Sequence, residues 1–193
     1  MLRRFLVATA FVLLAATSAL ADTWTIDSDD SGASFAARNQ TVTWVRGFFH
    51  KVTGTVEFDS QDITKAAVNA TIDATTIDTG VAARDQHLRS ADFFEVDKFP
   101  TITFKSKRAE PVAEGKFRLI GDLTIKGVTK EVVLMVEGPS PVVTLGKGVR
   151  ASGALATTTI NRKEFGVNGS PTGVADRVDI TIDIEMQQKN PGS

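Results

Sequence analysis

The chain has 193 residues, 22 Lys and Arg against 23 Asp and Glu, a net charge of −1 and no cysteine. It lacks the basic surplus that neutralises nucleic-acid phosphates, so nucleic acid is not an expected partner. It has no disulfides, and a chain of this length can bury a core without such cross-links.

The first 21 residues have the pattern of a secretory signal peptide. Arg3 and Arg4 form a basic start, residues 5–16 form an apolar segment too short for a comfortable membrane span, and Ala19-Leu20-Ala21 is a small-x-small cleavage site. We therefore predict cleavage after Ala21 and one mature domain over residues 22–193; an uncleaved N-terminal anchor is the alternative. Cleavage would lower the net charge to −3, so we expect at most transient contact with a membrane.

Alternation of apolar and polar residues predicts strands along nearly all of the mature chain. Successive side chains of a strand point to opposite faces, so an apolar residue at every second position marks a half-buried strand. The clearest case runs from Val178 to Met186, where acids and threonines fill the positions between. The predicted strands, in chain order, cover residues 24–26, 33–45, 52–58, 68–73, 101–105, 117–125, 132–136, 149–160 and 178–186.

One segment interrupts this alternation, between Ile77 and Phe94. Thr79 or Asp78 would cap a short helix over residues 81–89, and Ser90 would cap a second turn over residues 92–94. We therefore predict one short helical insertion around residues 79–94.

The arrangement of strands and turns favours an all-β fold, an antiparallel barrel of about eight strands. Tight turns are predicted at residues 113–115, 126–127 and 146–148, and few strands are candidates for an exposed edge, which favours a closed barrel over an open sandwich. A barrel of this size has room for one small ligand. Small residues at inward positions 54, 70, 121, 154 and 156 favour an open cavity, although the same apolar rows would also fill a collapsed barrel.

The dense polar cluster of the insertion consists of Arg84, Asp85, His87 and Arg89. His87 has the chemistry of a general base with Asp85 orienting it, but residues two apart on a helix do not face each other. No serine elbow accompanies the histidine. The cluster is therefore interpreted first as a structural collar and second as a contact for a ligand's head group, with catalysis as the weaker alternative.

Other motifs carry less chemistry. Neither histidine stands in a known metal-ligand spacing, and no phosphate-binding loop or dinucleotide fingerprint is present, so we predict no metal and no cofactor. Adjacent Phe48 and Phe49 would point to opposite faces of a strand. The charges of residues 162–166 predict a solvated turn with Phe165 packed back into the barrel. Trp44 or Trp24 is the expected amphipathic aromatic residue near an opening.

Three separated segments carry a family resemblance: RDQHLRSADFFEVDKFPTITFKS (84–106), LIGDLTIKGVTKEVVL (119–134) and INRKEFGV (160–167). They closely resemble the YceI-like family of exported polyisoprenoid-binding proteins, and the resemblance covers essentially the whole mature chain. It implies a lipocalin-like barrel whose elongated cavity holds an isoprenoid or fatty-chain lipid, a periplasmic location and a role linked to isoprenoid quinone transport. It implies no catalytic residues and is compatible with a homodimer. The family's collar motif maps onto Arg84, Asp85, His87, Leu88, Arg89, Ser90, Phe93 and Phe94.

The sequence therefore predicts a periplasmic, non-enzymatic protein that sequesters or carries a long-chain lipid. A hydrolase or isomerase with His87 as base, acting on a lipid-like substrate, is one alternative, and an envelope interaction module with a filled barrel is another. The residues predicted to line the cavity are Phe35, Trp44, Phe48, Ile72, Phe94, Phe104, Leu134 and Phe165.

Overall fold

The computed structural model describes residues 22–59 and 62–188, and the predicted signal peptide lies outside these ranges. In these ranges one short α-helix, α1 (Ala82–Arg89), and three single-turn 3-10 helices (Ala74–Thr76, Gly146–Gly148 and Arg162–Phe165) interrupt an otherwise all-β chain. The strands are β1 (Asp22–Ile26), β2 (Gly32–Asn39), β3 (Thr43–Phe49), β4 (Val52–Asp59), β5 (Asp62–Asp73), β6 (Thr101–Ala113), β7 (Lys116–Ile125), β8 (Val128–Glu137), β9 (Val143–Thr144), β10 (Arg150–Asn161) and β11 (Val174–Gln188).

Eight strands close into an antiparallel barrel, in the order β11-β1-β4-β5-β6-β7-β8-β10 and back to β11. The closing contact is extensive, because β11 pairs with β10 along the whole of β10. Beyond the end of β1, β2 takes the place beside β11 and β3 pairs with β2. This confirms the predicted fold, and closure removes most of the sheet edges that an open sandwich would expose.

The antiparallel connections divide the barrel into two ends. One end, which we call the collar end, carries the β2–β3 turn, residues 74–100, the β7–β8 turn and residues 162–173. The opposite end, which we call the far end, carries the β4–β5 and β6–β7 turns and residues 138–149. The β7–β8 turn is the predicted tight hairpin: Lys126 and Gly127 both have positive φ, 50° and 73°, which is the geometry that matches the twist of two paired strands.

The predicted inward rows form the core. From Val178 to Met186 the apolar residues contribute to the barrel interior, and Phe104, Leu123, Leu134 and Phe165 are buried with them. Polar residues between them face outward, as the period of two requires.

Two of the small inward residues do not provide space, contrary to the sequence interpretation. A Cβ at Gly121 would lie 2.5 Å from the carbonyl oxygen of Lys105, and one at Gly54 would lie 2.0 Å from that of Asn69. Gly54 also has φ of 146°, a conformation that residues with a side chain rarely adopt. These glycines allow neighbouring strands to approach closely.

The helical insertion is confirmed, but its predicted capping is wrong. The N-cap position of α1 is Val81, which makes no side-chain cap. Instead Asp85, in the first turn, reaches back and accepts hydrogen bonds from the backbone N–H and the hydroxyl of Thr79. Ser90 is the C-cap of α1, where the backbone becomes extended, and its hydroxyl donates to the carbonyl of His87.

Candidate functional site

The barrel encloses an apolar cavity of about 380 Å³ that is lined by all eight strands of the ring and by α1. Ala70, Ala154 and Ala156 lie in its wall, so these three inward residues leave room, unlike the two glycines. An internal space with aliphatic and aromatic walls holds apolar groups, because burying apolar surface is favourable and an apolar cavity offers water few hydrogen bonds.

The structure places six of the eight predicted lining residues at the cavity: Phe35, Ile72, Phe94, Phe104, Leu134 and Phe165. Trp44 and Phe48 lie outside it, on the outer face of β3, and are exposed. The reason is strand parity: Val45 and Phe49 point inward, so Trp44 and Phe48, which occupy the alternate positions of β3, point outward. Which lining residues contact a ligand stays a prediction.

Aromatic rings gather beneath the collar end. The Phe35 and Phe49 ring centroids are 5.7 Å apart, and Phe94 meets Phe49 edge-on at 5.6 Å. Edge-on and tilted pairs are favourable because the positive edge of one ring faces the negative face of another. This cluster joins the segment after α1 to β2 and β3.

Hydrogen bonds to backbone carbonyls hold the helical insertion on the barrel. The guanidinium of Arg89 donates to the carbonyls of Thr75 and Ile77 at 2.9 and 2.6 Å. Lys126, in the β7–β8 turn, donates to the carbonyl of Ala91 at 2.7 Å. Arg89 and the buried carboxylate of Asp85 thus hold the insertion in place, and neither lines the cavity.

Of the four residues of the polar cluster, Arg84 and His87 line the cavity. Arg84 is oriented by Thr79, because its Nε donates to the Thr79 hydroxyl at 2.7 Å and an Nη donates to the Thr79 carbonyl at 3.0 Å. Within the described ranges no carboxylate forms an ion pair with Arg84. A fixed cation at the wall of an apolar cavity favours a ligand head that is anionic or accepts hydrogen bonds.

His87 pairs with Asp92, not with Asp85. Its Nε2 lies 2.9 Å from Oδ2 of Asp92, and its ring meets Phe93 edge-on at 5.0 Å. Both partners of this pair are largely exposed. The expectation that Asp85 does not face His87 is therefore confirmed, because the Asp85 carboxylate accepts hydrogen bonds from Thr79.

Sequence reasoning misplaced Arg162, which was expected in a solvated turn. The residue is buried, with 5% of its surface exposed. Its Nε and both Nη atoms donate to five carbonyls, those of Val167, Gly169, Ser170, Val174 and Ala175. Burial lowers the pKa of the guanidinium. Arg162 thus organises the segment between β10 and β11, of which Val167 and Ser170 line the cavity; no local sequence signal distinguishes it from Lys163, its solvated neighbour.

The two tryptophans occupy opposite environments. Trp24 is buried, stacks on Phe58 at 5.4 Å, and its Nε1 has no hydrogen-bond partner among the described residues. Trp44 is exposed, with the guanidinium groups of Arg38 and Arg46 at 4.5 and 5.8 Å from its ring centre. Trp24 is therefore too buried to be the expected aromatic residue near an opening, and for Trp44 this position stays a prediction.

Two further features bear on possible sites. Within residues 22–59 and 62–188, one group of carboxylates has the proximity that a cation needs: oxygens of Asp27, Asp30 and Glu185 lie within 4.8 Å of one another. Gln187 donates to Asp27 and Glu185, which accounts for this cluster without an ion.

Among the described residues no helix has the length and apolar character needed to span a bilayer.

The chain is similar to known proteins both in sequence and in fold. A family model described as YceI-like domain matches residues 24–186. The protein YceI of Shigella flexneri is 34% identical over 187 residues, which cover 93% of this chain and 95% of that protein.

Solved structures share the architecture. BcnA of Burkholderia cenocepacia superposes with a TM-score of 0.73 at 26% identity, covering 83% of this chain and 98% of that one. A domain of Saccharophagus degradans, described as polyisoprenoid binding and implicated in plant cell wall breakdown, superposes with a TM-score of 0.63 over 89% of this chain and 100% of that chain. At 14% identity the latter likeness shows the fold alone.

Proposed function

This chain belongs to the YceI-like family, and from that premise we propose that its barrel sequesters or carries a lipid with a long isoprenoid or acyl chain. The observation that carries the proposal is the apolar cavity of about 380 Å³ inside a closed barrel. The same fold occurs in the Saccharophagus degradans domain described as polyisoprenoid binding.

The energy of such binding comes from the tail. Each buried methylene contributes about 0.8 kcal/mol, so a stretch of about ten contributes roughly 8 kcal/mol before association and ordering are subtracted. Burial of the tail can therefore give measurable affinity for the lipid without a specific binding site for its head group. This agrees with the cavity wall, which contains few polar groups. Arg84 and His87 are the polar groups that we expect nearest to the head.

We place this activity in the periplasm. The proposal rests on the signal-peptide pattern of residues 1–21. A lipid that is poorly soluble in water needs a carrier to cross an aqueous compartment between membranes, and a barrel that shields its tail meets that need.

Neighbouring residues of β10 supply a matched test of the cavity. Ala156 lines the cavity and Thr157 faces outward. Ala156→Phe should place a ring in the lumen and weaken binding of a fluorescent long-chain lipid by at least about tenfold, whereas Thr157→Phe should leave it unchanged. Equal affinities of both variants for the lipid, with both folded by circular dichroism, would contradict binding in the lumen.

The ligand itself is to be sought by native mass spectrometry and organic extraction of mature protein purified from its own envelope. A near-stoichiometric isoprenoid or fatty-chain molecule is the expected result. A ligand-free mass that stays unchanged after addition of quinones and fatty amides would favour the filled-barrel interaction module instead.

The His87–Asp92 pair at the cavity wall is the observation that favours the second candidate, an enzyme acting on a lipid-like substrate. A histidine that is paired with a carboxylate, as His87 is with Asp92, could act as a base that abstracts a proton. However, the described hydrogen bonds give His87 no serine or threonine hydroxyl as a nucleophile, because the Ser90 hydroxyl donates to a backbone carbonyl. Binding without turnover is therefore the function that the geometry supports best.

A further inference from the structure

We propose that the outer face and tip of the β2–β3 hairpin dock onto a bilayer that contains anionic phospholipids. This docking surface consists of Val42, Trp44 and Phe48 with Arg38 and Arg46. The role that we assign to this surface, transfer of the lipid tail between bilayer and cavity, rests on the proposed function. The docking itself is argued from the geometry of the hairpin alone.

The apolar part of the docking surface is exposed. Val42 is 75% exposed, Trp44 40% and Phe48 54%. Trp44, Arg46 and Phe48 alternate along the outward face of β3, and Val42 lies in the turn before it. Large side chains grouped in this way on an outer face mark a site of interaction, and tryptophan beside arginine is typical of the bilayer interface.

The charge of this hairpin selects the partner. From Ser31 to Val56 the sequence contains Arg38, Arg46 and Lys51 and no Asp or Glu, although the whole chain holds 23 acids. Among the described residues neither Arg38 nor Arg46 forms an ion pair; both face the Trp44 ring. Asp78, at the border of this face, is paired with His50 at 3.4 Å. Unpaired guanidinium groups around an aromatic ring fit lipid phosphates.

The position of the docking surface connects it to the cavity. Asn39 and Val45 belong to the same hairpin and line the cavity on its inner face. Arg38 and Trp44 are directly opposite each other in the β2–β3 ladder, next to these two residues. A bilayer in contact with the outer face therefore lies one strand thickness from the collar end of the lumen.

The chain carries its own probe for this contact. Trp24 is buried and Trp44 is exposed, so a blue shift of tryptophan emission on adding vesicles, and quenching by brominated lipid, report Trp44. We expect the blue shift and the quenching with phosphatidylcholine vesicles that contain phosphatidylglycerol. We expect neither signal in Trp44→Phe, in which the buried Trp24 is the remaining tryptophan. Vesicle co-sedimentation measures binding of the variants that lack this signal.

Two pairs of substitutions separate the apolar and ionic contributions. Trp44→Ser with Phe48→Ser should weaken binding to the anionic vesicles by about tenfold or more. Arg38→Gln with Arg46→Gln should weaken it about tenfold, with a much smaller effect on pure phosphatidylcholine. The matched control is Val142→Ser with Val143→Ser at the far end, two exposed apolar residues whose loss should leave binding unchanged.

Transfer assays keep this inference separate from the proposed function. A fluorescent fatty chain supplied from cyclodextrin should enter wild type and the Trp44/Phe48 variant equally, whereas extraction from vesicles should be about tenfold slower in the variant. Failure of loading from cyclodextrin in wild type would refute cavity binding and leave the Trp44 signal interpretable. An unchanged Trp44 spectrum with vesicles would overturn the docking proposal. So would a Trp44 blue shift that depends on protein concentration without lipid, which would assign this face to a second copy of the chain.

Discussion

Replacing Arg162 by methionine tests whether one buried side chain holds the segment between β10 and β11. Arg162 has five N–H groups, and in the structure they donate to five backbone carbonyls. Methionine fills a similar volume but donates to none of them. The carbonyls would then have to find water or remain unpaired.

The expected magnitude follows from these contacts. A hydrogen bond to a charged group contributes about 1.5–3 kcal/mol, and an unsatisfied buried carbonyl costs about 1–3 kcal/mol. The bond to Val167 is buried, whereas the other four are partly buried, so water replaces part of the loss there. Removal of the guanidinium also relieves its desolvation, which is the cause of its lowered pKa. We therefore expect a loss of about 4 kcal/mol in the free energy of unfolding, within the range for breaking a buried charged network.

Urea denaturation followed by circular dichroism measures this loss, and the melting temperature should fall by about 10 °C. Arg162→Lys keeps the charge but offers three donors from one atom, so we expect about half the effect. The control is Arg177→Met, since the Arg177 side chain is 72% exposed and its pair with Asp179 should contribute below about 0.5 kcal/mol. An Arg162→Met loss below about 1 kcal/mol would refute the reasoning.

Two further predictions concern charged groups of the collar end. The N–H of Gly80, and secondarily His50, hold the pKa of Asp78 below its ordinary 3.8, so its ionised form stabilises the fold above that value and the contribution is lost as pH falls through the lowered pKa. Asp78→Asn should therefore lower the melting temperature near neutral pH but not in strong acid, and a pH-independent difference would contradict this assignment. His87→Ala should change lipid affinity by less than about threefold, because the tail supplies most of the energy. A mass-spectrometric search for altered lipid that finds a product with wild type and none with His87→Ala would favour the enzyme alternative.

The barrel was predictable because period-two alternation is a local property of the sequence. Every second residue from Val178 to Met186 is apolar, and the structure pairs this strand with β10, β1 and β2. The helical insertion was predictable for the converse reason, since alternation stops at Ile77. Local patterns of this kind fix which face a residue occupies once the strand is given.

Features that depend on distant partners were not predictable. Arg162 and Lys163 are adjacent bases in the sequence, and only the path of residues 167–175 around Arg162 separates a buried residue from an exposed one. Gly54 and Gly121 matched the inward period, but the close approach of a neighbouring strand decides what they do. Parity alone left open which of Phe48 and Phe49 faces the lumen; the contact of Phe49 with Phe35 and Phe94 settles it.

The contacts of the collar end differ in how firmly they hold each element. Charge-assisted bonds to carbonyls hold two of these elements: Lys126 links residues 74–100 to the β7–β8 turn, Arg89 links α1 to the residues after β5, and Arg162 organises residues 162–175. β3 is held differently: it pairs with β2 on one edge, and on the other the described residues give it a single bridge, Phe48 with Asp78. Segments with few bonds open at the lowest free energy. We therefore expect β3, on the side of the barrel that carries Trp44, to open more readily than residues 74–100 or 162–175, and a bilayer bound there would lie beside it.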